Sequence, residues 1–154
     1  MATDEDWASY ARAVVDVVPA EGEPFRLVPD RVGSAGRWPD GLDPPVTVVT
    51  AWNPDGVLVP PGDNRAGNQR LVDELQRLGL TWWPAVGRDL DSAHHEEGVA
   101  VSGLTVAEGL ALGRRYGQAA VYVWTPDEWS VVSCTDDRRH TCGWRRTGRP
   151  PIPS

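Results

Sequence analysis

Residues 46–52, Val46-Thr47-Val48-Val49-Thr50-Ala51-Trp52, constrain the fold more than any other stretch. In an extended chain successive side chains point to opposite faces. Val46, Val48, Thr50 and Trp52 then share one face, Thr47, Val49 and Ala51 the other, and both faces are largely apolar. Such a strand is covered on both sides and sits inside a sheet. A chain of 154 residues supports one domain around it. No run of about 20 apolar residues is present to span a bilayer. The first nine residues hold three acids and no basic leader, so the reading is of a cytoplasmic protein.

The flanking segments supply the rest of a plan. Thr3 and Asp6 stand in capping-box positions, and Trp7, Tyr10, Ala11, Val14 and Val18 recur at helical spacing until Pro19. Residues 25–28 form a short strand. After residues 46–52 comes the turn Asn53-Pro54-Asp55-Gly56. Asp63 or Asn64 then caps a helix with a Leu71, Leu75, Leu78 stripe, stopped by Gly79. Residues 81–87 are a strand whose Pro84 cannot donate to a ladder, which assigns it to an edge. A polar loop, 88–97, leads to a strand at 98–102. Thr105 and Glu108 box the start of a second helix, and 119–124 and 129–134 form a hairpin. Strand, helix, strand, strand, helix, strand is the split βαβ order. The expected fold is therefore α+β and ferredoxin-like, with an extra C-terminal hairpin strand and an N-terminal helix. In it the first and third strands are central and parallel. The domain expected is 1–135, followed by an Arg/Pro-rich tail, 136–154.

Four pieces stand in a particular order: Thr50-Ala51-Trp52-Asn53-Pro54, Asn64 opening a helix, Glu96-Glu97-Gly98, and Tyr116-Gly117-Gln118-Ala119. Over residues 10–132 they resemble the bacterial family catalogued as domain of unknown function number 3293. That family has a TA-x-NP segment, an Asn further on, a W-x-E-x-S segment and an F/Y-G-Q-x-A segment before a strand. The resemblance implies candidate positions and no reaction. Glu96 stands where the family's Glu does, while His94 replaces its Trp and Gly98 its Ser.

Asn53, Asn64 and Gln118, with Trp52 beside them, are the candidate ligand-binding residues. In an antiparallel pair the end of one strand lies beside the start of its neighbour, which makes Asn53 and Gln118 neighbours. Their amides are fit to read a nucleobase or a carboxamide. They are equally fit for an Asx turn, a helix cap and a loop tie. Glu96 is the candidate catalytic group, in the one concentration of acid/base side chains, His94-His95-Glu96-Glu97. In the expected fold it lies at the far end from the amides unless its loop folds back.

All 15 basic residues are Arg, which excludes Schiff-base and P-loop chemistry, both of which need a Lys amine. A net charge of −7 argues against broad nucleic-acid binding. The basic cluster Arg138, Arg139, Arg145, Arg146 and Arg149 reads as part of the solvated tail. Cys134, His140 and Cys142 match no common zinc spacing, so no metal is expected, no cofactor is implied, and the cysteines are free thiols. Eight Trp exceed what one small core should hold. Some then line a groove or an interface, and a homodimer is one way to cover them. The leading expectation is a module that binds an unknown small molecule, nucleotide-related in one version, through the amides and Trp. The alternatives are a hydrolase with Glu96 as general base and a protein-interaction domain using an uncovered sheet face.

Overall fold

A computed structural model describes residues 2–148. Its elements are α1 (Asp4–Arg12), β1 (Val14–Val17), β2 (Phe25–Asp30), β3 (Val46–Thr50), α2 (Pro61–Arg77), β4 (Trp82–Arg88), β5 (His95–Ser102), α3 (Val106–Arg115), β6 (Ala120–Trp124), β7 (Trp129–Ser133) and β8 (Arg139–Thr147), with a 3-10 turn at Pro54–Gly56. The eight strands run β1-β2-β8-β7-β6-β3-β5-β4, and β4 pairs back onto β1 to close a barrel. Every pairing is antiparallel. No helix among the described residues is long and apolar enough to cross a membrane.

Closure overturns the ferredoxin-like expectation. The segment from β3 to β6 does hold strands separated by two helices, but β1, β2, β7 and β8 continue the sheet until it meets itself. Two strands account for the difference. Helical spacing in the sequence continues through Val18, yet the helix stops at Arg12 and Val14–Val17 is extended and wholly buried. A Val-Val-Asp-Val run is stiff at χ1 and favours strand. The other strand, Arg139–Thr147, lies where a tail was expected from residue 136, and it pairs with both β7 and β2. Arg149 and the Pro-rich end lie outside the described residues.

β4 is not an edge. It pairs with β5 through Trp82↔Val101 to Arg88↔His95 and with β1 through Val14↔Arg88 to Val17↔Ala85. Pro84 is tolerated because it comes one residue past the last β1 pair. There its carbonyl accepts from Val18 N at 2.9 Å, and its missing N–H falls where β1 runs out. The third strand of the split motif is also not parallel to the first: β5 runs antiparallel to β3, with Thr50 opposite Gly98.

Alternation divides the side chains into two cores. Val15, Val17, Phe25, Leu27, Val46, Val48, Trp83, Ala85, Ala100, Trp124, Trp129 and Trp144 pack inside the barrel. Val49, Ala51, Val99, Val101 and Val121 face outward, where Leu71 and Leu75 of α2 and Leu112 of α3 cover them. β3 is thus apolar on both faces because one face lines the barrel and the other carries helices. The indoles need no second molecule to cover them: Trp83, Trp124, Trp129 and Trp144 are buried in one barrel end, with half-buried Trp38 against them. Trp124 meets Trp144 edge-on at 5.3 Å and Trp38 at 4.3 Å. That cluster plugs one mouth, an aromatic arrangement that adds to simple burial.

Candidate functional site

The opposite mouth is open. Apart from Tyr122 and Glu96, the inward positions there are small: Val15 on β1, Val48 on β3, Ala85 and Gly87 on β4, Gly98 on β5, Ala120 on β6 and Val131 on β7. Large side chains at one end and small ones at the other leave a cavity of about 380 Å³. An eight-stranded barrel has room for side chains or for one small ligand, and this one is filled at one end only. The cavity continues past the strands to Asn53, Gln118 and Trp52 on one side. On the other it reaches Ser9, Tyr10 and Ala13 at the end of α1.

Glu96 enters this cavity because β5 begins at His95, inside the segment expected to be a loop. Glu96, Gly98 and Ala100 share the inward face, while Glu97 points outward. The antiparallel run of β5 beside β3 also brings Glu96 to the mouth that holds Asn53, not to the far end. Its side chain is 31% exposed, and His94 Nε2 lies 3.7 Å from its Oε1. Burial raises its carboxyl above the ordinary range, and His94 only partly offsets this. Tyr10 and Tyr122 sit close enough to feel the carboxylate. Burial raises both phenols, with Asp6 and then Glu96 adding to it at Tyr10, and Glu96 and then Tyr10 at Tyr122. The Tyr122 hydroxyl donates to Tyr10 O at 2.9 Å and so ties α1 to the barrel rim.

The amides are placed together but are largely engaged. Asn64 is not a cap. It lies inside α2, whose N-cap is Pro60, and it is buried. Its Oδ1 accepts from Asn53 N at 2.7 Å, and its Nδ2 donates to Asn53 Oδ1 at 3.0 Å. Asn53 Oδ1 also accepts from Val59 N at 3.2 Å. This network holds Asn53 at φ 46°, a left-handed conformation that Asn tolerates better than most residues. Gln118 Nε2 donates to Trp52 O and Tyr116 O, each at 3.1 Å. Gln118 therefore meets the strand end beside Asn53 through backbone. Gly117, at φ +71°, packs so closely on Pro54 and Asp55 that a Cβ would collide with them. Trp52, half-buried, completes this wall.

Pattern reading missed Tyr10, Tyr122 and Arg88 as lining residues. Tyr122 was legible in principle: Ala120, Tyr122 and Trp124 alternate on the face of β6 that lines the barrel. Arg88 borders the cavity, but its Nε is held by Asp16 Oδ2 at 2.6 Å. Asp16 also takes Arg26 through Nε at 2.6 Å and Nη2 at 3.1 Å. Burial alone would raise the Asp16 carboxyl, and the two guanidiniums overcome that and hold it below its ordinary range. The trio spans β2, β1 and β4 on the outer wall and leaves Glu96 without an Arg partner among the described residues.

Fold and site together define a closed antiparallel barrel, plugged by indoles at one end and holding a carboxylate-bearing pocket at the other. Residues 49–121 match the model of a family described as Protein of unknown function (DUF3293), which supports the family relationship that the motifs pointed to. The match runs from β3 into β6 and holds Asn53, Asn64, Glu96 and Gln118; α1, β1, β2, β7 and β8 fall outside it. No curated protein and no solved structure matched the chain.

Proposed function

We propose that this protein binds a small molecule in the open end of its barrel. The observation that carries the reading is the cavity of about 380 Å³ between small inward side chains, with Glu96 the acidic side chain on its inner wall. That volume falls in the range of small-ligand sites, which are mostly apolar with a few placed polar groups. The amides act here chiefly as scaffold. They fix the strand-to-helix loop that forms one wall, and most of their hydrogen bonds are internal, so a nucleobase gains little from them.

The test is titration with a neutral environment-sensitive fluorophore, N-phenyl-1-naphthylamine, against the wild type and Ala85→Leu. Ala85 is buried and lines the cavity, so Leu fills the space a ligand needs. Saturable one-to-one binding, weakened at least about tenfold by the filled variant, is the expected result; tenfold corresponds to about 1.4 kcal/mol. Absence of saturable binding, or equal binding by Ala85→Leu with its melting transition intact, overturns the reading.

A second reading, hydrolysis with Glu96 as general base, is favoured by one observation. The carboxyl is half-buried in the same cavity with its proton affinity raised and His94 beside it. Glu96→Gln would then abolish turnover of a bound ester or amide while ligand affinity remained. Undiminished turnover in that variant excludes Glu96 as the base.

A further inference from the structure

We propose that the ligand of the open mouth is an organic cation, an ammonium group on a short apolar body, whose charge sits against Glu96. This deepens the small-molecule reading above and rests on it. Three observations converge. First, the cavity charge is unbalanced toward negative. Glu96 and Asp89 border it, and of the two basic groups there, Arg88 is tied to Asp16 while His94 is half-exposed at 3.7 Å. Second, aromatic side chains surround the same space. Tyr10, Trp52 and Tyr122 all line the cavity, and Tyr122 is stacked on Trp129 with ring centres 4.8 Å apart, which fixes its plane. Aromatic rings near a carboxylate favour alkylammonium groups, which are attracted to the ring quadrupole. Third, the inner wall of Val15, Val48, Ala85 and Val131 offers nothing polar, so the deeper part of the ligand is hydrocarbon.

A carboxylate ligand fits poorly, because it would bring a second negative charge beside Glu96 in a partly desolvated space. A bare metal ion also fits poorly. No group of three or more His, Cys, Asp or Glu is placed to hold one among the described residues. An arriving ammonium supplies a closer partner than His94, which stands 3.7 Å from the carboxylate. Burial raises the proton affinity of Glu96 and His94 offsets it only in part, so a cation that approaches more closely is favoured there. The net charge of −7 further favours the approach of cations from solution.

The experiment compares three head groups on one tail. Hexylammonium, hexanol and hexanoate are each used to displace N-phenyl-1-naphthylamine at pH 7.5 from the wild type and from Glu96→Gln. The expected order is ammonium first, by about tenfold or more over hexanol, the size of one hydrogen bond to a charged group, and hexanoate last. In Glu96→Gln the ammonium advantage shrinks severalfold, to what the aromatic rings alone supply, and hexanol is unchanged. Equal displacement by ammonium and hexanol, hexanoate as the best competitor, or an ammonium advantage left undiminished by the substitution overturns the proposal. The two readings fail in different ways. Fluorophore binding that Ala85→Leu blocks, with a flat head-group order, sinks the cation alone; no fluorophore binding at all sinks both. The wild-type head-group order decides the matter even if the Gln variant does not fold.

Discussion

Replacing Asp16 by Asn tests how the barrel is closed. Asp16 is the outward residue of β1 and is 8% exposed. Its two oxygens take Arg26 Nε and Arg88 Nε, both at 2.6 Å, with Arg26 and Arg88 side chains 17% and 29% exposed. It therefore joins the strands on either side of β1, the strand through which the sheet meets itself. Removing one partner of a fully buried ion pair costs about 3–5 kcal/mol. Partial exposure lets water reach both guanidiniums, which lowers the expected cost to about 2–3 kcal/mol. At about 2–4 °C per kcal/mol for a domain of this size, the midpoint falls by about 4–12 °C. The assay is thermal unfolding followed by circular dichroism at several pH values. The folded Asp16 carboxyl is held below its ordinary value. The stability it contributes is therefore complete above the unfolded value of about 3.9 and is lost as pH falls through the folded value. The gap between wild type and Asp16→Asn should be full at pH 7 and shrink in acid below that range. A midpoint within about 1 °C of wild type at pH 7, or a gap that ignores pH, would refute the reasoning, since the ion trio would then hold nothing together.

Substitutions at two further positions probe the wall of the site. Asn64→Ala removes the acceptor of Asn53 N and the donor to Asn53 Oδ1. Leaving those groups unpaired should cost about 1–3 kcal/mol in urea unfolding, and an unchanged midpoint would mean that the loop is held elsewhere. Gly98→Ala and Gly98→Ser should both destabilise by about 1–3 kcal/mol or more, because a Cβ there runs into the Val49 carbonyl and Thr50 Cα of the neighbouring strand. A Gly98→Ser protein melting at the wild-type temperature would show that β5 and β3 can part without cost.

What could be read in the sequence was local. The two-sided β3, both capping boxes, the helical stripe at Leu71 and Leu75 (its third member, Leu78, is exposed) and the hairpin at Thr125–Glu128 depend on neighbours within a few residues, and periodicity reports those. Closure depends on partners far apart. β2 finds β8 with Leu27 opposite Arg146, and β1 finds β4 with Val15 opposite Gly87. Nothing in Val14–Val17 or Arg139–Thr147 names its partner. Arg139, Arg145 and Arg146 also give β8 the composition of a solvated tail, though Trp144 is fully buried. The site shows the same division. Asn53, Asn64, Glu96 and Gln118 all come to one end of the barrel or its flanking loop. The role of Asn64 was misread because its side chain reaches back to the preceding loop from inside a helix. The position of Glu96 was misread because its distance from Asn53 follows from strand direction, and the parallel assignment of β5 placed it at the wrong end.

The place of β8 between β2 and β7 has a consequence for how the chain is made. Synthesis delivers β2 early and its partner β8 last of the eight strands. Until β8 appears, β2 and β7 each present a row of unpaired backbone groups, and such open edges recruit other chains. Pairings between segments so distant along the chain also form slowly, because loop closure must precede any gain from them. A nascent or truncated chain lacking Arg139–Thr147 would thus carry the segment with the family motifs intact and still be an open sheet. It would also lack Trp144, a large part of its aromatic plug. Such a product should accumulate as aggregate, not as a smaller working version of the barrel.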